Sequence, residues 1–136
     1  MHKIESIMMA ITNALTSAMQ PTVVERTPVY KSDQTRVLVR QGQETTLLEG
    51  AFTDAEFDLV ITQVVLTQST QLEFLANQHR SDIHKALMTL QGTVSGMTEI
   101  SSSRVGEPDI NSEKPALSRE LVYQVRYRYN TKDPSL

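Results

Sequence analysis

Two histidines flanking an aspartate, His79, Asp82 and His84, are the residues of this chain whose types first suggest chemistry, because a pair of histidines on one helix can hold a zinc ion. Their spacing argues against it. Metal-ligating histidines on a single helix face stand three or four residues apart, whereas a separation of five rotates His84 about 140° from His79. The pattern predicts one ring toward the core edge and the other toward solvent. His2 lies in the terminal segment, where it is expected to be mobile. Asp54, Glu56 and Asp58 form a second group. Paired carboxylates can serve as general acid and base, yet acids spaced by two on a strand more often line one solvated face. Serines and threonines are plentiful, but no G-x-S-x-G, Ser-x-x-Lys or Gly-Lys-Ser/Thr stretch activates one of them, and Gly92 to Gly96 is no phosphate loop. These residues assign no catalytic group, no metal ligand and no cofactor, and a non-enzymatic protein is expected.

The elements that would position such groups are bounded by composition. The 136 residues contain 13 Lys plus Arg against 16 Asp plus Glu, a formal charge of −3, and no Cys. Duplex-gripping nucleic-acid binders carry a basic excess, which is lacking here. Without cysteine there is neither a disulfide framework nor thiol chemistry. Leu, Ile, Val and Phe make up about a quarter of the chain, enough for a core, so one domain over residues 1–136 is expected, with a mobile tail at 131–136. The longest apolar run is far short of the ~20 residues that span a bilayer, and residues 1–19 interleave polar with apolar side chains. A soluble, intracellular protein without membrane contact follows as an expectation.

Ile4, Ile7, Met8, Ile11, Leu15 and Ala18 recur at helical spacing, which predicts a helix that Pro21 stops near Met19. From Thr22 to Thr67, short β-branched runs are separated by turn signals at Asp33-Gln34, Gly42-Gln43 and Gly50 to Asp54. Three or four antiparallel strands in a meander are expected there. Thr70-Gln71-Leu72-Glu73 matches a capping box and opens a second helix. Leu72, Leu75, Ala76, His79, Ile83, Ala86, Leu87 and Leu90 form its apolar face, and Gly92 is its stop signal. A strand around Met97 to Arg104 and a polar connection from Gly106 to Pro115 come next. In the last strand Leu121, Tyr123, Val125, Tyr127 and Tyr129 alternate with polar and basic residues over ten positions. The order predicts an α+β fold, an antiparallel sheet of about five to six strands with two helices packed on one face.

Charge is segregated along this order. Glu44, Glu49, Asp54, Glu56 and Asp58 occupy a stretch without Lys or Arg, whereas Arg119, Arg126, Arg128 and Lys132 face only Glu120 in the last strand region. Such halves can pair between copies of one chain, or remain ordinary surface charge that never meets. The Tyr123, Tyr127 and Tyr129 stripe fits sheet packing better than a base-stacking platform.

Several stretches together resemble the tail terminator, or tail-completion, proteins of long-tailed bacteriophages, including the minor tail protein U type. They are the N-terminal amphipathic helix; Thr35-Arg36-Val37-Leu38-Val39-Arg40-Gln41-Gly42 leading into an acidic hairpin; and Phe57-Asp58-Leu59-Val60-Ile61-Thr62 running into a helix that ends Asp82-Ile83-His84-Lys85-Ala86-Leu87. Glu107-Pro108 and the closing Tyr123-Gln124-Val125-Arg126-Tyr127-Arg128-Tyr129 complete the set. The resemblance covers nearly the whole chain and is one of layout, since such proteins have no catalytic motif. It implies a virion tail protein, assembled in the host cytoplasm, that forms a homo-oligomeric ring, a hexamer, on the tail tube. The ring ends tube polymerisation and offers a joining surface to the head-completion or connector protein, while DNA passes through the lumen without specific binding. On this reading Arg119, Arg126, Arg128, Tyr129 and Lys132 meet a neighbouring subunit or the tube. Glu44, Glu49, Asp54 and Glu56 form an acidic loop at the lumen, where like charge repels phosphate, and residues 43–56 and 105–117 are long loops that reach partners. The alternatives are an adaptor of a related contractile or secretion tube, a small non-catalytic interaction domain, a small enzyme or ligand-binding α+β domain with its site between sheet and helices around His79, His84 and Tyr123, and a nucleic-acid-binding module.

Overall fold

The computed structural model describes residues 1–27, 35–66, 71–104 and 116–136. Helix α1 spans Lys3–Ala18 and buries Ile4, Ile7, Met8, Ile11 and Leu15, the stripe that the helical spacing predicts. It ends at Met19, before Pro21. His2 is not a loose terminal residue. It is the N-cap of α1, its ring Nδ1 accepting from the Ile4 amide at 3.1 Å, and its ring packs edge-on against Tyr129 at 4.7 Å between centroids. An imidazole nitrogen here replaces the hydroxyl or carboxylate usual at this position, satisfying an amide that the first helical turn leaves free.

Among the described residues five strands form one mixed sheet in the order β1-β2-β3-β5-β4, with β1 at Val23–Glu25, β2 at Arg36–Glu49, β3 at Phe52–Leu66, β4 at Gly96–Arg104 and β5 at Ala116–Asn130. All pairs are antiparallel except β1 with β2, which is parallel, so the start of the sheet departs from the expected meander. Helix α2, Leu72–Met88, lies across β3 and β5 and packs on α1. Buried side chains of both helices join those of β2, β3 and β5 in one cluster. Both helices therefore cover the same sheet face, as the α+β reading expects. The buried Gln63 fastens the layers by donating to the Ala76 carbonyl of α2 at 2.6 Å.

Gly42-Gln43 is not a turn, and residues 43–56 are not a long loop. β2 runs through them to Glu49, with register shifts between Gln41 and Glu44 and between Thr46 and Leu48, and the hairpin turns only at Gly50 and Ala51. Two residues opposing one make a β-bulge, which absorbs a glycine without ending the strand. Space favours glycine at position 42, since a Cβ there would sit 3.1 Å from both the Cβ and the carbonyl oxygen of Asp58. The last turn of α2 closes at Met88, four residues ahead of the expected Gly92 stop. The Asp33-Gln34 turn, the Thr70 hydroxyl of the capping box and the connection from Gly106 to Pro115 lie outside the described residues; Gln71 is the N-cap of α2 and makes no side-chain cap bond.

Candidate functional site

Strand alternation divides β3 and β5 between two environments. Ala55, Phe57, Leu59 and Ile61 of β3 and Leu121, Tyr123, Val125 and Tyr127 of β5 face the helices and are buried. Asp54, Glu56, Asp58, Arg126 and Arg128 lie on the opposite face, which no helix or strand covers among the described residues. The β3–β5 register sets Asp54 against Arg128 and Glu56 against Arg126. Arg128 donates to Asp54 through Nε at 2.7 Å and through a terminal nitrogen at 3.2 Å, and Arg126 Nε donates to Glu56 at 3.1 Å. The segregated charges thus meet inside one chain. The Arg128 hydrogen bond, with the charge of its guanidinium, holds the Asp54 carboxyl below the usual carboxylate range against the opposing effect of desolvation. Near the hairpin end of this face a recess of about 480 Å³ is lined by Leu47, Leu48, Asp54, Arg126 and Arg128. The Arg128 guanidinium lies 5.8 Å from the centroid of the Phe52 ring, within cation–π range.

The nine residues proposed from sequence do not form a single patch. Arg126, Arg128, Asp54 and Glu56 share the open face. Glu44 pairs in register with Phe57, so it stands on the helix side, where the Tyr127 hydroxyl donates to it at 2.6 Å. Burial, reinforced by that bond, pushes the Tyr127 hydroxyl well above its ordinary value. Glu49 pairs with Thr53 at the hairpin tip. Arg119 donates to Asn77 of α2 at 2.9 Å, Tyr129 stacks on Tyr127 at 5.7 Å, and Lys132 follows the end of β5, its amide bonded to the Asn130 side chain. The tyrosine stripe is sheet packing, with Tyr123 and Tyr127 buried.

Of the three side chains considered for a pocket, two come together. His84 Nδ1 lies 2.9 Å from the Tyr123 hydroxyl, and Glu99 of β4 is 3.7 Å from the same nitrogen. Arg80 donates to Glu99 at 2.6 Å. Burial first, then the Glu99 carboxylate, push the Tyr123 hydroxyl up to about 12. An open recess of about 400 Å³ beside this cluster is lined by Asn77, Arg80, Ser81, His84, Lys85 and Glu99, while His79 borders a different one with Gln78 and Asp82. Arg80 and Glu99 were not among the residues singled out from sequence. The three- and four-residue spacings from Asn77 through Arg80, Ser81 and His84 mark one helix stripe, but the partner on β4 becomes visible only with the fold. No group of three or more His, Cys, Asp or Glu among the described residues is placed to hold a metal ion, and no described helix is long and apolar enough to cross a membrane.

Neither a protein-family model nor a curated protein sequence matches the chain. Among solved structures it is similar to a chain from the virion of a native gene transfer agent particle, with a TM-score of 0.50 and 12% sequence identity. The likeness extends over 89% of this chain and 93% of that one.

Proposed function

We propose that the chain is a structural, non-catalytic subunit of a phage-type virion, and that it acts as a tail terminator: a ring, six-membered as the family resemblance implies, on the head-proximal end of the tail tube. There it ends tube polymerisation and presents a joining surface to a head-completion or connector protein. The observation that carries this reading is the fold shared with a virion chain over nearly the full length of both. The layout resemblance reached from sequence points the same way.

In this reading the open face lies toward the lumen or the tube. Asp54, Glu56 and Asp58 supply negative charge that DNA slides past, tempered by Arg126 and Arg128. Arg119, Tyr129 and Lys132, which stand on the helix side or beyond the end of β5, contact a neighbour or the tube. Glu44 and Glu49, on the exposed outer half of β2, face a neighbouring subunit. Each subunit then shows one surface to the next copy and a complementary one to the previous, an association that closes. Molar mass by light scattering over a concentration series at low and high salt, with electron microscopy of the same samples, tests the reading. A closed ring of fixed stoichiometry that weakens with salt is expected, and a monomer at every concentration and salt overturns it.

A further inference from the structure

We infer that the ring closes by sheet extension, the outer edge of β2 in one copy pairing with the outer edge of β4 in the next. The inference rests on the ring reading and names the surfaces that meet. β2 and β4 are the two opposite sides of the sheet once the short β1 is set aside. β1 covers only Arg36 to Leu38, so among the described residues the edge of β2 from Val39 to Glu49 pairs with nothing, and neither does the outer edge of β4. Each presents a row of backbone donors and acceptors, the template that strand addition uses. Because the two edges differ, their union is head-to-tail, which is the relation a ring requires.

Side chains beside the two edges are complementary. On the helix side β2 carries Glu44, and Glu49 stands exposed at its end. Beside β4, on that same side of the sheet, α2 presents Arg80, His84 and Lys85 around the recess that Glu99 completes. A sheet continued from β4 into the β2 of a second copy keeps its faces, and it sets those acids along the side of α2 that carries Lys85 and the Glu99-paired Arg80. Both edges also expose apolar side chains: Leu47 and Leu48 on β2, 45% and 66% accessible, and Ile100 on β4, 52% accessible. Bulges at Gln41/Glu44 and Thr46/Leu48 on β2 and at Glu99/Ser101 on β4 bar a long regular ladder. They confine pairing to short segments and leave selection of the partner to the side chains, so that indiscriminate edge pairing is suppressed.

The chain has no cysteine, which makes cross-linking clean. Thr45→Cys is combined in turn with Thr98→Cys and with Ser101→Cys, all at exposed positions on the open face, and the proteins are mildly oxidised. At least one combination is expected to give a disulfide-linked ladder ending at a closed species, while each single-cysteine variant gives none. Lys85→Glu and Glu49→Lys alone should each raise the concentration of half-assembly at least about tenfold, and together restore it. An intact ring that forms no cross-link and ignores both charge reversals overturns edge pairing and leaves the ring reading standing. A wild-type protein that stays monomeric, together with double-cysteine variants that form no cross-link, overturns both.

Discussion

The two faces of strands β3 and β5 are built from alternate residues of the same segments, yet they obey different physics. On the helix side Phe57 and Tyr127 lie 5.9 Å apart, edge to face, and both are about 1% exposed. On the other side their chain neighbours Glu56 and Arg126 form an ion pair whose arginine side chain is 59% exposed. The first face gains from water released by apolar surface, and the second from screened charge that is worth little at a wet surface. Folding is therefore carried by the covered face, which leaves the sequence of the open face and of the strand edges free to be chosen for partners.

The largest effect that would sharpen this contrast is expected from Phe57→Ala. Truncating a fully packed aromatic should cost about 3–5 kcal/mol in chemical denaturation, whereas Glu56→Ala, one residue earlier, should cost less than about 1 kcal/mol. Equal losses would break the comparison.

Alkaline pH probes the same covered face through Tyr123, whose hydroxyl is raised to about 12 from an ordinary 10. A raised folded-state value favours the protonated form in the native protein. Its contribution to stability is then complete below pH 10 and is lost as pH climbs through 10 toward 12. The expected loss is about 2 kcal/mol, and Tyr123→Phe should flatten this part of the stability-against-pH curve. An unchanged alkaline limb in the variant would show that the hydroxyl is not held as the structure has it. A smaller effect is expected at the α1 terminus, where His2→Ala removes both the cap and the ring packed on Tyr129. The thermal midpoint should fall by an amount corresponding to about 1 kcal/mol.

His2 also shows where the sequence stops being legible. Its value depends on meeting Tyr127 and Tyr129 from the far end of the chain, and no local pattern encodes that meeting. The helix stripe of α1 and the period-two alternation of β5 were readable because each signal is local and strong. Gly42-Gln43 misleads for the opposite reason: it is a good local turn signal, overridden by pairing of β2 with β3 on both sides of it. The acidic and basic stretches were visible as segregated charge. That they neutralise each other within one chain depended on the β3–β5 register, which puts Asp54 opposite Arg128. Arg80 and Glu99 were missed likewise, one being on a helix and the other on a strand that only the fold brings beside it.

The Asp54–Arg128 pair offers the smallest expected effect and the sharpest use of the comparison. Arg128 lowers the Asp54 carboxyl below its ordinary value of 3.8. A lowered folded-state value means that the pair's contribution is present above about pH 4 and is lost as pH falls through the lowered one. Both side chains are open to water in the isolated chain, so Asp54→Asn should leave the denaturation midpoint at pH 7 essentially unchanged. It should alter only the acid limb, and high salt should erase even that. The measurement is best made at two protein concentrations on either side of assembly. If the loss stays small and salt-sensitive in both, the open face remains wet in the ring, as a lumen-facing surface must. If it becomes large and salt-resistant only where the protein is assembled, the pair has been taken out of water by another subunit. The open face would then belong with the covered one, as a buried contact and not as a channel wall.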